Sequence, residues 1–138
     1  MILYRPVGLD ELRRIFNTGM CEFPPRFPLD PILYLTVDEN DARQISKARN
    51  AQGDSAGFVI RFEVDDTFVT RFEPHHVGDK ELRVPAEDLG EFNRQITGVI
   101  EVVASHFGPY YGPGAGISEF DDYVRILFQV YLLETPTS

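Results

Sequence analysis

Basic residues are scarce in this chain, cysteine is nearly absent and long apolar runs are missing, and each shortage closes off a class of function. Thirteen lysines and arginines stand against 22 aspartates and glutamates, a formal net charge of −9. Loose binding to a phosphate backbone draws its free energy from cations displacing counterions, so nucleic acid is not an expected partner. A local basic cluster inside this acidic total would have to draw on Arg5, Arg26, Arg61, Arg71 and Arg83. The single cysteine, Cys21, cannot form an intrachain disulfide, and with three histidines it matches no structural zinc spacing. Cys21 reads as a buried small residue rather than a nucleophile. The most apolar stretches, "GFVIRF" and "RILFQVYLL", fall far short of the roughly 20 residues that cross a bilayer. The opening "MILYRPVG" does not read as a signal peptide, and the expected location is the cytoplasm.

What is present is ordinary globular material: 43% hydrophobic and 25% charged residues over 138 positions, which predicts one domain that folds without staples. "ILYRPV" has strand composition, with Ile2, Tyr4 and Pro6 on one face and Leu3, Arg5 and Val7 on the other. "GLDELRRIFNTG" is the clearest helix: Leu9, Leu12, Ile15 and Phe16 at helical spacing, Asp10 and Glu11 in the first turn, and Gly19 at the stop. Four prolines between Pro24 and Pro31 impose a stiff, extended loop before a short strand, "ILYLT", residues 32 to 36. Asp38 is a plausible cap for a surface helix with Ala42, Ile45 and Ala48 or Arg49 on its apolar side. "FVIRFEV", residues 58 to 64, has the best strand alternation, with Phe58, Ile60, Phe62 and Val64 facing one way. "DDTFVTRFEPHHVGD" reads as a turn and then an irregular or strand-like run.

Residues 78 to 89, "GDKELRVPAEDL", give a short strand ended by Pro85 and a helix start, and "ITGVIEVVASHF" supplies a last strand. The core is thus expected over 1–107. A glycine- and proline-rich loop follows over 108–117, then a C-terminal element over 118–134, read as a helix although Val124, Ile126, Phe128 and Val130 also alternate like a strand. The order of elements predicts an α+β fold with a mainly antiparallel sheet and helices packed on it.

No phosphate-loop, GxSxG or HExxH motif occurs. His75 and His76 are adjacent, which on a strand sends them to opposite faces, so they make no two-histidine clamp unless the backbone there is irregular; the plain reading is a pair of partly exposed loop histidines. Asp79 and Glu81, two residues apart, share a strand face at a separation suited to gripping two hydroxyls or one developing cation; the plain alternative is an edge strand charged against aggregation. Glu101 among valines and isoleucine is either paired by an arginine, the favoured reading, or functional. Tyr4, Arg5, Tyr34 and Thr36 are polar positions inside short strands. Arg5 could hold a phosphate or carboxylate, or bridge structurally to Glu81 or Glu101; the plain reading of Tyr34 is a core aromatic with its hydroxyl at the edge.

Taken in order, a strand with "YR", a helix, "ILYLT" followed by an acidic helix start, and "KELRVP" resemble the ADP-ribosyltransferase fold. The pieces "LYRPVGLDEL", "FPPRFPLDPILY", "GFVIRFEVD" and "VPAEDLGEFNRQITGVIEV" also resemble a group of small bacterial proteins labelled ADP-ribosylation/crystallin-like, over about residues 3 to 104. The resemblance implies two small, mainly antiparallel sheets around a cleft for NAD+ as substrate, with flanking helices and no metal. It places Tyr4 and Arg5 with Tyr34 and Thr36 as cofactor-binding residues, Glu81 as the catalytic carboxylate, and Asp79 as the residue orienting an acceptor. It implies transfer of ADP-ribose, to a protein or another acceptor, or hydrolysis of NAD+. A catalytically silent relative that binds a protein partner, as an immunity-type protein does, is the alternative. A structural, lens-type role is suggested only by the group's label.

Overall fold

The computed structural model describes residues 1–25, 31–49, 56–72 and 80–107. The histidine pair, Arg26, Asp79, the 108–117 loop and the 118–134 element lie outside the described residues. Among the described residues five strands, β1 (Ile2–Gly8), β2 (Ile32–Thr36), β3 (Ala56–Val64), β4 (Glu81–Pro85) and β5 (Ile96–Phe107), form one antiparallel sheet in the order β4-β2-β1-β3-β5. Among the described residues four helices accompany it: α1 (Leu9–Asn17), α2 (Glu39–Arg49), α3 (Asp66–Val69) and α4 (Leu89–Arg94). The fold is α+β as expected, but the two expected sheets are one. The chain pairs β1 with both β2 and β3, which joins them.

That join is narrow. Neighbouring strands elsewhere share five to eight register pairs, whereas β1 and β2 share Tyr4↔Thr36 alone. Continuing the register would set Pro6 against Tyr34, and proline has no N–H to give a ladder. Beyond Tyr4 the two strands therefore part.

Alternation sorts the sheet into two faces. Leu3, Val7, Leu33, Leu35, Phe58, Ile60, Phe62, Leu82, Val84 and Ile100 line the main core, closed by Leu12 and Ile15 of α1, Phe68 and Val69 of α3, and Leu89 and Phe92 of α4. Phe23, from the proline-rich segment, joins an aromatic cluster, 5.0 Å from Phe62 and 6.5 Å from Phe92 between ring centroids. Asn93 fixes it there: the Asn93 amide donates to the Phe23 carbonyl at 3.0 Å, and the Asn93 amide oxygen accepts from the Phe23 N–H at 2.9 Å. α2 lies over the opposite face, where Ala42 and Val59 are fully buried. This explains why β3 is buried on both sides over Ala56–Ile60. The apolar side of α2 is rotated from expectation, since its buried residues are Ala42 and Ser46 while Ile45 is 40% exposed.

Two further expectations are corrected. The run after Asp65 is helical, α3 followed by a 3-10 turn over Thr70–Phe72, because the Asp65 side chain accepts the Phe68 N–H and caps a helix too short to show a period. Cys21 is exposed. The turn after α1 passes through left-handed backbone at Gly19 (φ 79°) and Met20 (φ 60°), which sends Met20 onto the core and leaves Cys21 outside. No helix among the described residues is long and apolar enough to cross a membrane.

Candidate functional site

Where β1 and β2 part, a groove of about 960 Å³ opens between the strands and α2, a size suited to a small-molecule ligand. It is lined by Arg5 and Pro6 of β1, Tyr34 and Thr36 of β2, and Lys80 and Glu81 at the start of β4. Asp41, Gln44, Ile45 and Arg49 of α2 form the other wall. Their spacing places them on one side of the helix. Four of the five described residues singled out in the sequence thus meet at one groove: Arg5, Tyr34, Thr36 and Glu81. Tyr4 is not in its lining.

The strand register sets the positions. Glu81, Thr36, Tyr4, Arg61 and Glu101 form a continuous row of cross-strand partners on the face that α2 shares. Glu81 stands beside Thr36, and two pairs further along, on the same face, Arg83 stands beside Tyr34. The Arg83 guanidinium lies 5.7 Å from the Tyr34 ring centroid and 3.9 Å from the Glu81 carboxylate. Tyr34 is 42% exposed, so it is a surface aromatic at the groove and not a core one. Strand alternation turns it outward, since its neighbours Leu33 and Leu35 are buried in the core. Thr36 is buried, and its hydroxyl oxygen accepts from the Asp38 N–H at 3.1 Å, holding the turn into α2.

Arg5 bridges to neither Glu81 nor Glu101. Its Nε and Nη2 donate to the two Glu11 carboxylate oxygens at 2.6 and 2.8 Å, and Nη1 donates to the Tyr34 carbonyl at 2.9 Å. The guanidinium therefore supplies from a side chain the hydrogen bond that Pro6 cannot give from the backbone. All three nitrogens are engaged with the protein. Glu101 is paired as favoured, with Arg61 at 3.4 Å. Arg71 likewise meets Glu91, so each of the four described arginines that might have formed a basic cluster faces a carboxylate.

At the groove's end, Lys80 Nζ lies 2.7 Å from Asp38 and 4.0 Å from Asp41. The Lys80 hydrogen bond, followed by the Asp41 N–H, holds the Asp38 carboxyl below its ordinary value; Asp38 in turn raises the Lys80 ammonium. Asp38 is the helix cap expected from the sequence, accepting the Asp41 N–H at 3.1 Å. The α2 wall and Lys80 were missed in the sequence. The signal for the wall was the two-residue link Val37–Asp38, which leaves α2 no room to go anywhere but back across the sheet. Among the described residues, no group of three or more histidine, cysteine or acidic side chains could hold a metal ion.

No protein-family model, no curated protein and no solved structure matches the chain.

Proposed function

We propose that the groove binds a dinucleotide of the NAD+ type and that the chain is an ADP-ribosyltransferase-like protein, acting by ADP-ribose transfer or NAD+ glycohydrolysis. The observation that carries this reading is the convergence of Tyr34, Thr36 and Glu81, from two strands in register, on a single groove. On this reading the fold is ADP-ribosyltransferase-like, with the narrow join between β4-β2 and β1-β3-β5 in the place of a cleft between two small sheets.

The chemistry suits these side chains. Breaking the bond between nicotinamide and ribose leaves positive charge on the ribose, and the nucleophile, an acceptor group or water, adds at that carbon. A carboxylate that holds the ribose hydroxyls stabilises this charge as it develops, which is the role for Glu81. Tyr34 offers an exposed ring to a planar base. Because Arg5 is engaged by Glu11 and the Tyr34 carbonyl, its part is to hold the floor of the groove. The cations beside it are Arg49 and Lys80.

The experiment is nicotinamide release from NAD+ by wild type and Glu81→Gln, with an NAD+-dependent thermal shift measured on both. Release by wild type that is lost in Glu81→Gln, with the shift retained, supports the enzyme. Absence of both release and shift in wild type ends the dinucleotide reading. A second reading, a catalytically silent relative that binds a protein partner, is favoured by the full engagement of Arg5; a shift without release supports its loss of catalysis.

A further inference from the structure

α2 covers its face of the sheet with little apolar anchorage, since Ala42 and Ser46 are its buried residues. Its attachment is polar, at three levels along the helix. Lys80, leading into β4, holds Asp38 and Asp41 at the N-terminal end. Arg43 Nη2 donates to the Val103 carbonyl of β5 at 3.1 Å in the middle. At the far end, Ser46 Oγ and His106 Nδ1 of β5 are 2.9 Å apart.

We propose that α2 is a pH-sensitive wall of the groove, in which protonation of His106 loosens its C-terminal half from β5 while Lys80 keeps its N-terminal end tied to β4.

Among the described residues, the charged groups facing His106 are Arg43 and Lys47, both on α2 and both cationic. β3 sets Gly57 opposite it, flanked by Ala56 and Phe58, and β5 flanks it with Ser105 and Phe107; none of these titrates. An imidazolium there would be half-buried near two positive charges. Burial first, then Arg43 and Lys47, hold the imidazole below its ordinary 6.5. A histidine displaced downward takes its proton more readily once released. The attachment is therefore complete above 6.5 and weakens as pH falls below it. Asp38, displaced downward, and Lys80, displaced upward, both keep their charges through that window. One end of the helix thus responds to mild acid and the other does not. Ile45 and Arg49, on the responsive half, line the groove, so acid withdraws part of its wall.

The pH response of the wall stands apart from the dinucleotide reading. It is tested on the full chain without ligand, by amide hydrogen exchange over residues 39–49 at about pH 7.5 and about pH 5.5, bracketing the ordinary histidine value, with correction for intrinsic exchange at each pH. Protection of the second half of α2 falls severalfold at the lower pH in wild type, while its first turn and β1 hold. In His106→Asn, whose amide occupies the Nδ1 position and does not titrate, protection stays level. Ser46→Ala, which keeps a good helix former, has low protection at both pH values and serves if His106→Asn does not fold. A flat wild-type profile, a fall that survives in His106→Asn, or full protection in Ser46→Ala at the higher pH overturns the proposal.

Discussion

The Arg5 guanidinium reaches the backbone oxygen of Tyr34, 2.9 Å away, across the opening between two strands that pair only once. The contact ties α1, through Glu11, to the strand that carries the groove's exposed aromatic ring.

Arg5→Met takes the bidentate partner from Glu11 and the donor from the Tyr34 carbonyl. With the side chains only 12% and 18% exposed, the loss is expected at about 3–5 kcal/mol, the range for breaking a buried ion pair on one side. The double variant Arg5→Met/Glu11→Leu recovers part of it, because the carboxylate that Arg5 held is removed with it. Urea denaturation of the single and double variants checks both. A double variant less stable than Arg5→Met would show that the pair itself stabilises the fold.

Asn93 is a clamp on a segment with no regular structure of its own. Asn93→Ala removes both hydrogen bonds to the Phe23 backbone, and a cost of about 1–3 kcal/mol is expected from leaving those groups without partners. Asn93→Asp keeps the acceptor but sets a carboxylate against the Phe23 carbonyl, so it too should lower the denaturation midpoint. An unchanged midpoint in both variants would mean that the aromatic cluster alone holds Phe23.

The tie between Lys80 and Asp38 has a predictable pH window. Asp38, lowered in the folded state, contributes stability that is present above 3.8 and lost as pH falls through its folded value. Lys80, raised, contributes stability that is present below 10.5 and lost as pH rises through its folded value. Both contributions are therefore level across neutral pH. A carboxyl titration of Asp38 followed by NMR should move upward in Lys80→Met. An unmoved titration would assign the displacement to the Asp41 N–H instead.

Strands and helices with a full period were legible in the sequence. The alternation of Phe58, Ile60, Phe62 and Val64, and the apolar stripe of Leu12 and Ile15, name their own buried faces. Tyr34, Thr36 and Glu81 were legible as site candidates through their order along the chain, and their meeting at one groove follows from the β2–β4 register. What no local pattern carries is the distance between elements. Arg5 looked able to reach Glu81 or Glu101, and it is Glu11, six residues on and in the first turn of α1, that captures it. Ile45 sits at proper helical spacing with Ala42, yet α2 is turned by its polar ties so that Ser46 points inward. The single sheet was hidden for a related reason. One register pair decides whether two strand groups are joined, and one pair leaves no repeat in the sequence.

The strand that comes first in the chain lies in the middle of the sheet. Ile2 finds its partner in Glu63 and Tyr4 finds its partners in Thr36 and Arg61, so the strand partners of β1 lie far along the chain. Contacts this distant in sequence require long loops to close before they contribute, which makes for slow folding at a given stability. During synthesis β1 emerges before β2 and β3 and waits, with both hydrogen-bonding edges open, until they follow. In that interval an unpaired strand can join another chain instead. Refolding yield at rising protein concentration, rather than the stability of the finished fold, is where the placement of β1 should be felt.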